Sequence, residues 1–182
     1  MKFPMNRANM KLTLIFLSVG VCMAKKGVMF ETAEIPFMDP KYGTATCYSN
    51  KYNATTFLVN ARVNFTTDLP LDSVVAVDIY KLSDNTYKKT ALSMKKKICQ
   101  FLDSGEYRIM WSSYMDERFN IPKKCPISKG YYMAKDIDPN RLVANELFNF
   151  LPSWSIKVEV AITSKNEPIM NMKFRFKVVD AY

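Results

Sequence analysis

Ile156-Lys-Val-Glu-Val-Ala-Ile162 and Met170-Asn-Met-Lys-Phe-Arg-Phe-Lys-Val178 alternate, residue by residue, between apolar and mostly polar side chains. Period two is the repeat of an extended strand, whose successive side chains point to opposite faces. Ile156, Val158, Val160 and Ile162 therefore share one face, and Met170, Met172, Phe174, Phe176 and Val178 share another. Ser164-Lys-Asn-Glu-Pro168 between them supplies turn-forming residues. The expectation is an antiparallel hairpin with one wet face and one strongly apolar face.

The same pattern recurs upstream. In Leu58-Val-Asn-Ala-Arg-Val-Asn-Phe65, Val59, Ala61, Val63 and Phe65 fall on one face and Asn60, Arg62 and Asn64 on the other. Val74-Val-Ala-Val-Asp-Ile-Tyr80 is a second β-branched run, and the short interruption at Thr66–Pro70 predicts that these two strands pair as a hairpin. Residues 25–56, interrupted by Pro36 and Pro40, read as a loop-rich entry, and Lys81 to Lys97 as basic and less regular. From Phe101 to Phe119 the period changes: Tyr107, Met110, Trp111, Tyr114, Met115 and Phe119 recur at three- and four-residue steps, predicting an amphipathic helix that starts near Asp103 or Ser104. A strand over Tyr107–Trp111 is the alternative, and Pro122 and Pro126 end either one. Tyr131 to Met133 reads as a short strand, and Leu142 to Pro152 as a short helix or an apolar loop. Several short one-sided strands predict a mainly β protein, a two-sheet antiparallel β-sandwich with one or two short helices.

The N-terminus predicts the compartment. Lys2, Arg7 and Lys11 precede an uncharged apolar run, Leu12 to Val21, followed by the small residue Ala24. This is the layout of a secretory signal peptide over residues 1–24, with a cut after Gly20 as the alternative. The run is too short for a transmembrane helix, which needs about 20 apolar residues. Removing 24 of 182 residues leaves 158, read as a single domain over 25–182. The 24 carry three basic residues and no acid, so 26 basic residues become 23 against 17 acidic, a net charge of +6. That excess specifies no partner, and no nucleic-acid-binding module is recognisable. An extracellular, secreted location also suits two glycosylation sequons, Asn53-Ala-Thr55 and Asn64-Phe-Thr66.

The chain contains no histidine. That removes Ser–His and Cys–His nucleophile pairs and histidine-ligated zinc. No glycine-rich phosphate loop or paired-cysteine metal motif is present, and the adjacent acids Asp116-Glu117 read as solvated surface. The chain is therefore read as a non-enzyme without metal or cofactor. Lys88, Lys89, Lys95, Lys96 and Lys97 form the densest charge cluster, read as a solvated strand edge in preference to a site for anionic lipid or an acidic partner. Four cysteines, Cys22, Cys47, Cys99 and Cys125, allow three pairings if all are retained, and an oxidising compartment favours at least one disulfide.

Ile98-Cys-Gln-Phe-Leu102, then Lys124-Cys-Pro-Ile127, then the Leu151-Pro152 step and two terminal strands follow a recognisable order. The order resembles a large insect family of secreted proteins of unknown function that includes the chemosensory proteins of type B. Cys99-Gln-Phe101 stands where that family has a Cys-Lys-Phe-like element, and Cys125-Pro-Ile127 where it has one of the Cys-Pro-Tyr type; Gln100 and Ile127 depart from the pattern. The resemblance covers roughly residues 42–180 and implies a Cys99–Cys125 disulfide, flanking the helical stretch. The family is similar to the ML lipid-recognition superfamily, an immunoglobulin-like sandwich that holds lipid between its sheets.

By that resemblance the apolar inner faces would form a cavity, walled by Val59, Phe65, Phe148, Phe150, Met170, Met172, Phe174 and Phe176. The implied function is secreted binding of a hydrophobic small molecule or lipid, in insect chemosensation, with a membrane receptor as a further partner. The competing expectation is a secreted protein–protein interaction module with a filled core and no ligand.

Overall fold

A computed structural model describes residues 26–53, 56–104, 118–120, 124–138 and 154–180. Residues 1–25, which hold the expected signal peptide, and the stretches 105–117 and 139–153 lie outside them, and with them Asp116-Glu117, Phe148 and Phe150. The described chain forms eight strands and one short helix: β1 (Lys26–Met38), β2 (Gly43–Lys51), β3 (Phe57–Phe65), β4 (Val74–Ser83), β5 (Thr86–Lys97), α1 (Ile98–Asp103), β6 (Gly130–Ile137), β7 (Ser155–Ser164) and β8 (Glu167–Asp180). They build two antiparallel sheets, one of five strands in the order β1-β8-β7-β4-β5 and one of three in the order β2-β3-β6. The expected mainly β sandwich is what these residues form.

The terminal hairpin has the expected register. Val158 faces Phe174 and Val160 faces Met172, and the strands turn at Lys165 and Asn166 with φ of 49° and 69°. Two consecutive residues at positive φ form the tight turn whose twist matches that of its strands. Asp84 and Asn85, with φ of 52° and 59°, make the same kind of turn between β4 and β5. The stretch read as irregular is thus a full strand on the sheet edge. Its lysines Lys88, Lys89, Lys95 and Lys97 are exposed, as suits an edge kept from pairing with other chains.

Three expectations are corrected. Residues 25–56 are not loop-rich: they supply β1 and β2. Pro36 fits within β1 because β1 is an edge strand whose register shifts between Glu34 and Phe37, and edges and bulges are where a strand can lack an N–H. β3 and β4 do not form a hairpin: β3 pairs with β2 and β6, and β4 with β5 and β7. Their apolar faces oppose each other across the core, and the link between them crosses from one sheet to the other. It is tied down by the Thr66 amide donating to the Tyr42 carbonyl and the Leu69 amide to the Ile127 carbonyl, both at 2.9 Å, with Leu69 and Ser73 buried. The expected helix start at Asp103 or Ser104 is the third, while the body of that helix, Tyr107 to Met115, lies outside the described residues. α1 runs Ile98–Asp103, with Ile98 and Leu102 buried, and stops at Ser104, whose amide and hydroxyl both donate to the Phe101 carbonyl. Asp103 and Ser104 therefore mark its end, and Phe119 pairs with Ala134 in a β-bridge.

Cys99 and Cys125 form a disulfide across 26 residues of chain, the pairing that the resemblance implies. Closing a loop of this size is worth about 3–4 kcal/mol in the chain-entropy model. The bond pins α1 beside the first of two core clusters, in which Phe65, Leu69, Val75, Ile98, Leu102, Ile169 and Met170 are buried. A second cluster lies further along the strands, around buried Phe30, Val59, Ala134 and Ile137.

Candidate functional site

The registers stack the inner-facing side chains of the larger sheet into rows. Phe30, Phe176, Ile156 and Lys81 form one row across β1, β8, β7 and β4. The next holds Ala33, Phe174, Val158 and Ile79, then come Met172, Val160 and Val77, and finally Met38, Met170, Ile162 and Val75. Directly opposed residues of an antiparallel sheet point to the same side, so each row is a strip of inner surface. On the smaller sheet the rows are Ala45–Val63–Tyr132, Cys47–Ala61–Ala134 and Ser49–Val59–Ile137.

The candidate wall residues divide between the two clusters. Phe65 and Met170 are 7% and 3% exposed and belong to the close-packed cluster beside the disulfide, with Met172 against it. Val59, Phe174 and Phe176 belong to the second cluster. There Phe57, Phe119, Phe174 and Phe176 pack against the buried residues yet remain only partly buried themselves. Here the smaller sheet presents the short side chains of Cys47, Ala61 and Ala134 toward Phe174 and Phe176 of the larger one, while Phe57 lies on β3 of the smaller sheet and Phe119 is bridged to Ala134.

Several residues here were not singled out from sequence. Phe57 continues the alternation of β3 by one more step, so its signal was present. Phe30 lay in the stretch misread as loop, and Cys47 and Ala61 acquire their meaning only from their register. The Cys47 thiol is pushed up by burial to about 11 and so stays protonated at neutral pH, a packing group and not a nucleophile.

Lys81 ends the apolar part of the first inner row, which continues to Lys88 on β5. The Lys81 Nζ stands 3.9 Å from the centre of the Trp154 ring, the cation over the ring face. The outer face of the larger sheet differs in kind. Lys89 pairs with Asp78 at 2.7 Å, Lys157 with Glu159 at 2.9 Å, and Arg175 approaches Glu34 at 3.6 Å. Burial disfavours the ionised form of Glu159, but hydrogen bonding and charge from Lys157, then Tyr80 and Lys173, outweigh it and hold the carboxyl below its ordinary value. Burial and the nearby Glu159 raise Tyr80.

Two concavities away from the phenylalanines of the second cluster are formed by described residues. A gap of about 10 Å³ beside Leu69, Ile98 and the disulfide is at the lower limit for one water. An open cleft of about 600 Å³ is walled by Lys41, Asp72, Lys165 and Glu167 among others. Its lining is mixed, with Tyr42, Pro70 and Leu71 beside those charged residues, and it contains none of the candidate wall residues. Both sequon asparagines are exposed: Asn64 on the outer face of β3, and Asn53 beyond β2, where its Oδ1 accepts from the Thr56 amide at 2.7 Å. No described helix is long and apolar enough to cross a membrane.

A family model described as "Protein of unknown function (DUF1091)" matches residues 75–159, which run from β4 into β7. No curated protein matches the chain. Among solved structures, chicken MD-1 in a crystal structure with lipid IVa is similar at 13% identity and a TM-score of 0.31, over 84% of this chain and 100% of that one.

Proposed function

We propose that this protein is a secreted, non-enzymatic carrier for a hydrophobic small molecule or lipid, held between the two sheets at the end away from the disulfide. The observation that carries the reading is the set of half-buried phenylalanines, Phe57, Phe119, Phe174 and Phe176, around the second cluster, where the smaller sheet presents the short side chains of Cys47, Ala61 and Ala134. An apolar surface left incompletely covered inside a sandwich gains by burying a ligand, at about 25 cal/mol per Å² before ordering costs. The disulfide fits an oxidising, extracellular setting. A chemosensory role in an insect, working through a membrane receptor, is the setting that the sequence resemblance suggests.

Native mass spectrometry of protein secreted from insect cells, followed by organic extraction, tests the reading. A co-purifying apolar molecule that leaves on extraction is the expected result. Met172, between the two clusters, supplies a second arm. With open space beside it, Met172→Ala costs less than the roughly 2–5 kcal/mol of a filled core, and Met172→Trp is tolerated but weakens uptake of a fluorescent fatty acid. A Trp variant that unfolds, in a parent that never takes up the probe, would favour a filled interaction module.

A further inference from the structure

The inner row Phe30–Phe176–Ile156–Lys81 is apolar along three strands and ends in a cation. Phe30 and Ile156 are 5% and 3% exposed, so the row lies on the inner surface, and Lys81 shares it by register. A lysine in that position must keep its ammonium solvated or matched, because an unmatched charge beside apolar surface is costly. Other cations on this part of the sheet are matched by carboxylates. Lys88, next to Lys81 in register, pairs with Asp84 at 2.9 Å, and Lys89 pairs with Asp78. Lys81 is different. Among the described residues its ammonium meets the Trp154 ring and no carboxylate.

A ring face satisfies an ammonium on one side only. Lysine has three N–H donors, and those pointing away from the indole remain available to an acceptor. The indole also restricts a long side chain that would otherwise be mobile, so the charge is held in place before anything binds. From Lys81 the apolar row runs over Ile156 and Phe176 to Phe30, three strand spacings or about 14 Å. The row is a strip with a cation at one end; its members Phe30 and Ile156 are already covered by packing, so the apolar surface still open is that of the partly buried Phe176 and, in the next row, Phe174. Its complement is a molecule with one anionic end and one tail.

We propose that Lys81, held over Trp154, anchors the head of a single-tailed anionic amphiphile, a long-chain carboxylate, whose tail lies against Phe176 and the neighbouring Phe174. This deepens the carrier reading and rests on it. The carboxylate accepts charge-assisted hydrogen bonds from Nζ in a partly desolvated setting, where such bonds exceed neutral ones. A neutral ligand of the same shape would keep the tail contacts and lose that bond.

The test compares a naturally fluorescent polyene fatty acid with its methyl ester, using the full secreted chain. The acid should bind wild type about tenfold more tightly than the ester, one charge-assisted hydrogen bond's worth of selectivity. Lys81→Met should bring the acid down to the ester's affinity and leave the ester unchanged. Lys81→Arg should keep the preference, and so should Lys95→Met, because Lys95 faces Ala76 on the outer side. Equal binding of acid and ester by wild type, or a Lys81→Met variant that still prefers the acid, overturns the anchor while leaving the carrier reading intact. Binding of neither probe removes the carrier reading and the anchor together. The wild-type comparison needs no variant, so a misfolded substitution cannot obscure the outcome.

Discussion

Cys47 and Ala61 stand directly opposite each other on β2 and β3, and together with Ala134 they leave the inner surface of the smaller sheet shallow where Phe174 and Phe176 face it. The shallow row and the half-buried rings are two sides of one fact. They set where a ligand would sit and how that site can be closed.

Ala61→Phe should close it. If the region has room, the added ring covers Phe174 and Phe176, and binding of the fatty-acid methyl ester falls with little change in melting temperature. If the region is already filled, the same ring overpacks it and costs about 1–3 kcal/mol. Thermal melts and probe titration on one sample separate the outcomes. Destabilisation of that size in a protein whose parent ignores the probe speaks for a filled core.

Neighbouring residues of β8 should respond in opposite ways. Phe174→Asp places a carboxylate on the inner face and should cost about 3 kcal/mol or more, enough to block secretion of folded protein. Lys173→Asp lies on the outer face, where Lys173 is 3.9 Å from Glu159, and should cost about 1 kcal/mol or less. Secretion yield and chemical denaturation measure both. Similar behaviour of the two would mean that the register is displaced by one residue.

Glu159 should make part of the stability acid-sensitive. Its carboxyl lies below the ordinary value in the folded protein, so folding is favoured by its ionised form. That contribution is complete above the unfolded pKa, about 4.3, and disappears as pH falls through the lower folded value. Because the group is partly exposed, Glu159→Gln should cost only about 1 kcal/mol at pH 7. The gap between the variant and wild type should shrink with acidification from just above pH 4 downward. A gap that stays constant to pH 2 contradicts the assignment.

Asn64 should carry an N-linked glycan in protein secreted from insect cells. It is exposed on the outer face of β3, between Thr44 and Tyr131 in register, so a glycan there displaces nothing from the core. Peptide mapping after enzymatic deglycosylation should find Asn64 converted to Asp. Asn64→Gln should remove the modification and leave the unglycosylated fold's stability within about 0.5 kcal/mol. An unmodified Asn64 peptide as the main species would refute the expectation.

Strands β3, β4, β7 and β8 and their inner faces were legible in the chain because alternation is local: each apolar residue is two positions from the next, whatever the strand pairs with. The sidedness of Val59, Phe65, Met170 and Phe174 follows from that alone. Which strands pair is a non-local matter. Val63 and Val75 are both apolar and near in sequence, and alternation cannot say whether they lie side by side or face each other; the sheet-crossing link at Thr66–Ser73 decides that they face. β1 escaped notice because Pro36 and two register shifts break its alternation, although partners on both sides of those shifts hold it to β8. The candidate site depends on tertiary structure for the same reason. Ala61 is short in any context, but only strand register sets it beside Cys47 and Ala134, and only the packing of two sheets brings that row to Phe174 and Phe176. Likewise Lys81 is one of many lysines in the sequence; cross-strand pairing alone places it at the end of an apolar row, over Trp154.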